Sequence, residues 1–154
     1  MKFSDYFKKN FETSDNTTYP ELETRYYRNK LEYTFSNKRW LTNKDEEVSP
    51  ENLNALGFHV PGRFDKILDI DHCFLQQDPS NDLRNSIRDF AIANEISFYD
   101  LRAHEGALRN LIIRTASTGE TMVIVVFAYP EEGQVELMMN FIADKFPDIC
   151  SLLY

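Results

Sequence analysis

The chain has 154 residues, 42% of them apolar, which is enough for one domain with a packed core and excludes a disordered polymer. No apolar run approaches the roughly 18 residues of a membrane helix, and no long apolar stretch followed by small residues marks a secretory signal at the N-terminus. The net charge of −8 argues against a general nucleic-acid binder, because neutralising phosphates takes clustered Lys and Arg, although the distribution of charge matters more than its sum. The two cysteines, Cys73 and Cys150, make no disulfide framework, so a cytoplasmic chain with reduced thiols is expected.

Residues 1–24 read as a peripheral segment, in which Phe3, Tyr6, Phe7 and Phe11 fit a short amphipathic helix that the polar run Thr13 to Thr18 ends. A strand follows over about 27–37. At period two, Leu31, Tyr33 and Phe35 point one way, and Arg28, Lys30, Glu32, Thr34 and Ser36 point the other. Its outer face is locally basic: between residues 25 and 39, Arg25, Arg28, Lys30, Lys38 and Arg39 stand against Glu32 alone. The next stretch, Asn43 to Asn54, carries Asp45, Glu46, Glu47 and Glu51 and reads as a solvated loop. Charge is therefore segregated, as suits a surface that attracts a polyanion on one side and repels it on the other. Patches that merely screen one another explain the same pattern.

Ala55 to Val60 and Ile67 to Ile70 read as two further strands, joined through the turn residues Pro61-Gly62. Pro79 starts a helix that runs to about Asn94, with Leu83, Ile87, Phe90 and Ala91 on its apolar stripe. Leu108 to Thr115 and Thr121 to Phe127 form a hairpin through Gly119. The unbroken run Met122 to Phe127 implies an interior strand covered on both faces. Val135, Met138, Ile142 and Phe146 describe a second helix, Pro147 stops it, and Ile149 to Tyr154 opens a last strand. The sum is an α+β fold: a largely antiparallel sheet with two helices packed on it, in a single domain. The last strand has no polar tail, which suggests that the natural protein continues.

Little in the chain points to chemistry. The five glycines are dispersed and form no glycine-rich turn of the kind that cradles a nucleotide cofactor. His59, His72 and His104 are scattered, without zinc-ligand spacing. Asp65, Asp69 and Asp71 are explained as solvated strand-edge residues, and Cys150 as a small core residue at a strand start. A lone Cys73 is by default a buried, unreactive thiol.

Several separate stretches, in the right order, resemble the RNA (uracil-5-)-methyltransferases, and in particular their central domain. They are Tyr26-Tyr27-Arg28-Asn29-Lys30-Leu31-Glu32-Tyr33-Thr34-Phe35, Leu56-Gly57-Phe58-His59 with Gly62-Arg63, and Ile67-Leu68-Asp69-Ile70-Asp71-His72-Cys73. The resemblance continues in Gly106-Ala107-Leu108-Arg109-Asn110-Leu111-Ile112-Ile113-Arg114 with Thr118-Gly119-Glu120, and in Phe146-Pro147-Asp148-Ile149. It covers about residues 25–154 and is strongest toward the ribosomal RNA branch.

For the complete enzyme the resemblance implies attack of a cysteine on C6 of uracil, transfer of a methyl group from S-adenosylmethionine to C5, and removal of the C5 proton by a base. Those groups belong to a catalytic domain that would begin after Tyr154. In cluster-bearing members Cys73 matches the fourth ligand of a [4Fe–4S] centre; the three upstream cysteines have no counterpart here, and Phe74 stands where proline is common. For the chain itself the resemblance implies RNA docking, with Arg28, Asn29, Lys30, Arg63 and Arg109 as candidates for phosphate or base-edge contacts and Arg114 as a weaker one. The alternative is a free-standing module that binds a protein, or RNA weakly, on an open sheet. A small independent enzyme finds no supporting constellation.

Overall fold

The computed structural model describes residues 25–41 and 53–154. The helix expected around Phe3 to Phe11 and most of the acidic loop Asn43 to Asn54 lie outside them. The elements, in chain order, are β1 (Lys30–Ser36), β2 (Ala55–Val60), β3 (Arg63–Asp69), α1 (Ser80–Ala93), β4 (Leu108–Thr115), β5 (Thr121–Phe127), α2 (Gln134–Lys145) and β6 (Ser151–Leu153). They form one six-stranded sheet in the order β3-β2-β1-β4-β5-β6. All neighbours are antiparallel except β5 and β6, which run parallel. A parallel pair needs a crossover, and α2 supplies it.

The alternation read in β1 holds on its inner face, where Leu31, Tyr33 and Phe35 are buried. In register with them stand Ile113 and Leu111 of β4, then Val123 and Val125 of β5, with Leu56 of β2 opposite Phe35. Both helices cover this one face: Leu83, Ile87 and Ala91 of α1 and Met138 and Ile142 of α2 join the same buried cluster. The helices meet through stacked rings of Phe90 and Phe141, with centroids 3.8 Å apart. A fully buried apolar side chain of this size contributes about 1.5–3 kcal/mol, so the shared cluster is the main source of cohesion.

Three sequence expectations change. The inner face of β5 is buried, but Met122, Ile124 and Val126 on its outer face are only half-buried, because no helix lies on that side. An unbroken apolar run is thus compatible with one covered face. Cys150 is exposed, since β6 begins one residue later and lies at the sheet edge. The strand expected from Ile67 starts four residues earlier, at Arg63, directly after the turn in which Gly62 takes φ 75°.

Of the three acids expected at solvated strand edges, Asp65 and Asp69 are instead engaged. Asp69 is nearly sealed; it accepts from the Leu56 N–H at 3.0 Å and pairs with Arg88 at 3.2 Å and Arg39 at 3.7 Å. Asp65 accepts from Arg102 Nε at 2.6 Å, and this hydrogen bond holds its carboxyl below the usual range. Asp71 alone of the three is fully open, although it too reaches Arg88 at 3.2 Å. The outer edge of β3 is closed by the chain leaving β1, where Trp40 N–H donates to Ile67 O at 2.7 Å and Ile67 N–H to Lys38 O at 3.2 Å. Covering an edge in this way removes an open template for strand pairing.

One buried residue is a cation. Arg84 has no exposed surface; it donates to the side-chain oxygens of Asn81 at 3.1 Å and Asn85 at 3.2 Å and lies over the Tyr33 ring at 5.2 Å. Amide dipoles and a π face replace the carboxylate that such a charge usually requires. Burial pushes the Tyr33 hydroxyl above its ordinary value, and Ser80 and Arg84 act in the opposite sense.

The loop between α1 and β4 is held by Asp100. Its carboxylate accepts from the N–H groups of Arg102 (2.8 Å) and Ala103 (3.1 Å), from Asn37 Nδ2 (3.1 Å), and pairs with Lys38 at 3.2 Å. The two backbone donors, before the side-chain partners, hold this carboxyl well below the usual carboxylate range. A group depressed in the folded state adds stability above its unfolded value, near 3.9, and that stability is lost as pH falls through the folded value. Asp100→Asn is therefore expected to lower the urea-unfolding midpoint at neutral pH. It should also flatten the loss of stability between about pH 4 and pH 2; parallel pH profiles for the two proteins would contradict this role.

At Gly57 an added Cβ would lie 1.9 Å from the Leu68 carbonyl oxygen across the β2–β3 pair. Gly57→Ala is expected to cost about 1–3 kcal/mol through overpacking, measured by equilibrium urea unfolding, and an unchanged midpoint would show that the strands separate freely.

Candidate nucleic-acid interface

The segment that enters β1 is fixed from both sides by its backbone. Tyr26 N–H donates to Phe74 O at 2.7 Å and Arg28 N–H to Leu75 O at 2.9 Å, while Asn29 O accepts from Thr115 N–H at 2.9 Å. With its main chain engaged in this way, residues 25–30 present their side chains to solvent. Lys30 stands directly opposite Arg114 in the β1–β4 register. Two like charges in such a pair have Cβ atoms about 4.5–5.5 Å apart and repel. Arg28, Lys30 and Arg114 make no ion pair with a carboxylate among the described residues. Arg28 lies over the Tyr27 ring at 5.7 Å. A cavity of about 350 Å3 opens beside Arg114, lined also by Asn29, Glu120, Met122, Cys150 and Ser151.

The basic outer face is shorter than its sequence pattern. Lys30 and Glu32 are exposed, but Thr34 and Ser36 are buried. Thr34 Oγ1 lies 3.2 Å from His59 Nε2, and Ser36 Oγ accepts from Lys38 N–H at 3.0 Å. Thr34 is flanked by the side chains of His59 on β2 and Asn110 on β4, and Ser36 is capped by the chain that leaves β1. Local alternation carries no sign of these neighbours.

The five residues singled out from the sequence do not form one site. Arg28, Asn29 and Lys30 are contiguous and exposed, and the structure adds Arg114 to them. Arg114 is exposed and not turned toward a core acid; its place opposite Lys30 follows from strand register, which one strand read alone does not give. Arg63 sits on β3, separated from β1 by β2, so by strand spacing about 10 Å away. Its guanidinium lies 5.8 Å from the Trp40 ring. Arg109 is near the opposite end of β4 from Arg114, over the Tyr99 ring at 5.2 Å, and Tyr99 OH lies 3.3 Å from His104 Nδ1.

Cys73 is buried, and both its backbone groups are engaged by Asn81: Cys73 N–H donates to Oδ1 at 2.8 Å, and Nδ2 donates to Cys73 O at 3.3 Å. With two cysteines in the whole sequence, and the second exposed just before the far edge strand, the thiols present do not fit a cluster that uses about four thiolates. The described residues hold no group of three or more His, Cys, Asp or Glu side chains able to hold a metal ion. The largely antiparallel sheet likewise has no glycine-rich turn between a parallel strand and a helix, so the residues described do not fit an adenosyl cofactor of the doubly wound type. No helix among them is long and apolar enough to cross a membrane.

Three relatives described as uncharacterized RNA methyltransferases resemble the chain closely. The protein from Bacteroides thetaiotaomicron is 56% identical over 137 residues, which cover 86% of this chain and 30% of the relative. That from Porphyromonas gingivalis is 48% identical over 139 residues, with the same coverages. That from Chlorobaculum tepidum is 34% identical over 127 residues, covering 80% and 26%. Among solved structures, the Pyrococcus abyssi tRNA (uracil-54, C5)-methyltransferase in complex with S-adenosyl-L-homocysteine shares the fold, with a TM-score of 0.55 at 22% identity over 77% of this chain and 26% of that one. No protein-family model matches. The chain belongs to the family of these RNA methyltransferases, the one its sequence resembles, and spans about 30% of the length of the first two of these relatives.

Proposed function

We propose that this chain is the RNA-docking part of an S-adenosylmethionine-dependent RNA (uracil-5-)-methyltransferase, acting on ribosomal RNA. The observation that carries the reading is the cationic group Arg28, Lys30 and Arg114, without a carboxylate partner among the described residues, beside Asn29 in a chain of net charge −8. Opposed cations on neighbouring strands cost stability until an anion lies between them. A phosphate offsets that repulsion, and the Asn29 amide can donate and accept beside it. Arg63 and Arg109, held at other parts of the surface by aromatic rings, extend the contact to further phosphates. The chain's own groups bind and orient the nucleic acid. The methyl donor and the attacking thiol are supplied by other parts of the complete enzyme.

RNA affinity of the chain should be weak and salt-sensitive. Between roughly 50 and about 200 mM salt the logarithm of the binding constant should fall linearly, each phosphate contact adding about 0.7–0.9 to the slope. Arg28→Ala with Lys30→Ala should weaken binding across sequences and lower that slope by about one to two; an unchanged slope by fluorescence anisotropy would remove the proposed face. Incubated with radiolabelled S-adenosylmethionine and unmodified ribosomal RNA, the chain alone should transfer no label, and measurable turnover would overturn the docking-only role.

A second reading, a protein-binding module, is favoured by one feature. The outer face of Met122, Ile124 and Val126 is half-exposed, and Leu153 of β6 beside it is exposed. On that reading the cationic variants leave function intact and polar substitutions at Ile124 abolish it.

A further inference from the structure

We propose that the exposed aromatic and cationic side chains of residues 25–28 and 72–74 form a stacking platform for unpaired bases of single-stranded RNA. The inference rests on the docking role above and names the form of RNA that the site takes.

The two backbone hydrogen bonds from Tyr26 and Arg28 to Phe74 and Leu75 bring two short segments, distant in sequence, side by side. The result is a concentration of rings at the surface. Phe74 is 51% exposed, Tyr27 60% and Tyr26 44%. Around Phe74 lie the Tyr26 ring at 6.4 Å, the His72 ring at 4.4 Å and the Arg25 guanidinium at 4.9 Å. Arg28 sits over Tyr27 at 5.7 Å. Tyr26 takes φ 56°, a backbone region that bulky residues rarely adopt, and it is the residue whose N–H fixes the pairing.

Large rings left half in water are poor core residues, and here Phe74 and Tyr27 each lie beside a guanidinium. Bases present π faces and phosphates in alternation, so a ring beside a guanidinium matches one nucleotide unit. Unpaired RNA is recognised in this way, by stacking on Tyr, Phe, His and Arg planes. A duplex keeps its bases stacked on one another and offers only the phosphates. The platform adjoins the cationic group at Arg28 and Lys30, so one strand can follow both. The acidic side chains closest in sequence are Asp71, which is exposed but pairs with Arg88, and Glu23.

The test compares the 154-residue chain with its Tyr27→Leu/Phe74→Leu variant, which keeps apolar bulk at two exposed positions and removes the π faces. Each protein is titrated by anisotropy with a labelled single-stranded RNA of about ten nucleotides and with a duplex of equal length. The wild type is expected to favour the single strand, and the ring variant to lose roughly 5-fold or more of that affinity, with its salt slope and its duplex binding unchanged. Equal affinity of wild type and ring variant for the single strand would overturn the platform. If binding falls in the Arg28→Ala/Lys30→Ala variant but not in the ring variant, docking stands and stacking fails. If the wild type binds neither RNA, both fail together. Reduced capture of a separately expressed methyltransferase domain by the ring variant, with RNA affinity intact, would assign the rings to a protein contact and overturn the proposal.

Discussion

The burial of the inner face of β1 is the constraint on which the rest of the structure depends. β1 is the first strand in sequence, yet it lies in the middle of the sheet, between β2 and β4. Leu31, Tyr33 and Phe35 therefore have to meet side chains from far along the chain: Leu111 and Ile113 across the strand pair, Phe98 edge-on to Phe35 at 5.0 Å, and the stripe of α1. Such contacts bring an entropic cost of loop closure before they stabilise. Once they form, they fix where β1 begins, and so which residues of its lead-in remain outside. The exposure of Arg28, Asn29 and Lys30 is a consequence of how deeply Leu31 is seated.

Charge is handled differently on the two sides of the molecule. Where acids and bases meet near the core, each has a specific geometry: Asp69 with Arg88 and Arg39, Asp65 with Arg102, and Asp100 with two backbone N–H groups and Lys38. These contacts lock the loops around β3 and the start of β4. The cations before and along β1 have no such partners among the described residues. An acidic protein can therefore present a basic surface without contradiction. Its acids are partly consumed in structural pairs, while Arg28, Lys30 and Arg114, without a carboxylate partner among the described residues, sit together at one end of the β1–β4 pair.

The sequence disclosed what depends on local periodicity. Both helices, the β4–β5 hairpin and the buried triplet of β1 follow from spacing, and each lies close to where it was expected. What it concealed depends on distant neighbours. The outer face of β1 looked uniformly polar, but His59 and Asn110 of the neighbouring strands flank Thr34, and the chain leaving β1 caps Ser36. Arg114 was the weaker candidate, and register sets it opposite Lys30. Arg84 was missed, although positions 80, 84, 87 and 91 follow helical spacing and place a cation beside the apolar stripe. That its partners are Asn81, Asn85 and the Tyr33 ring required the folded chain. The family resemblance came from short word-like stretches, and the strong relatives bear it out at the level of RNA methyltransferases.

The placement of the aromatic residues argues that the surface before β1 is organised and not merely uncovered. An unstructured lead-in could leave Tyr26 and Tyr27 exposed, but it would not hold two consecutive backbone hydrogen bonds to the 74–75 segment with Tyr26 in a disfavoured backbone region. Such a conformation costs on the order of 1–3 kcal/mol and persists where its surroundings dictate it. Here the surroundings are the Phe74 carbonyl on one side and the β1–β4 pair on the other. The same geometry that seats Leu31 therefore turns Arg28 outward and brings Tyr26 to Phe74. Core packing and surface recognition in this chain are two ends of one short segment.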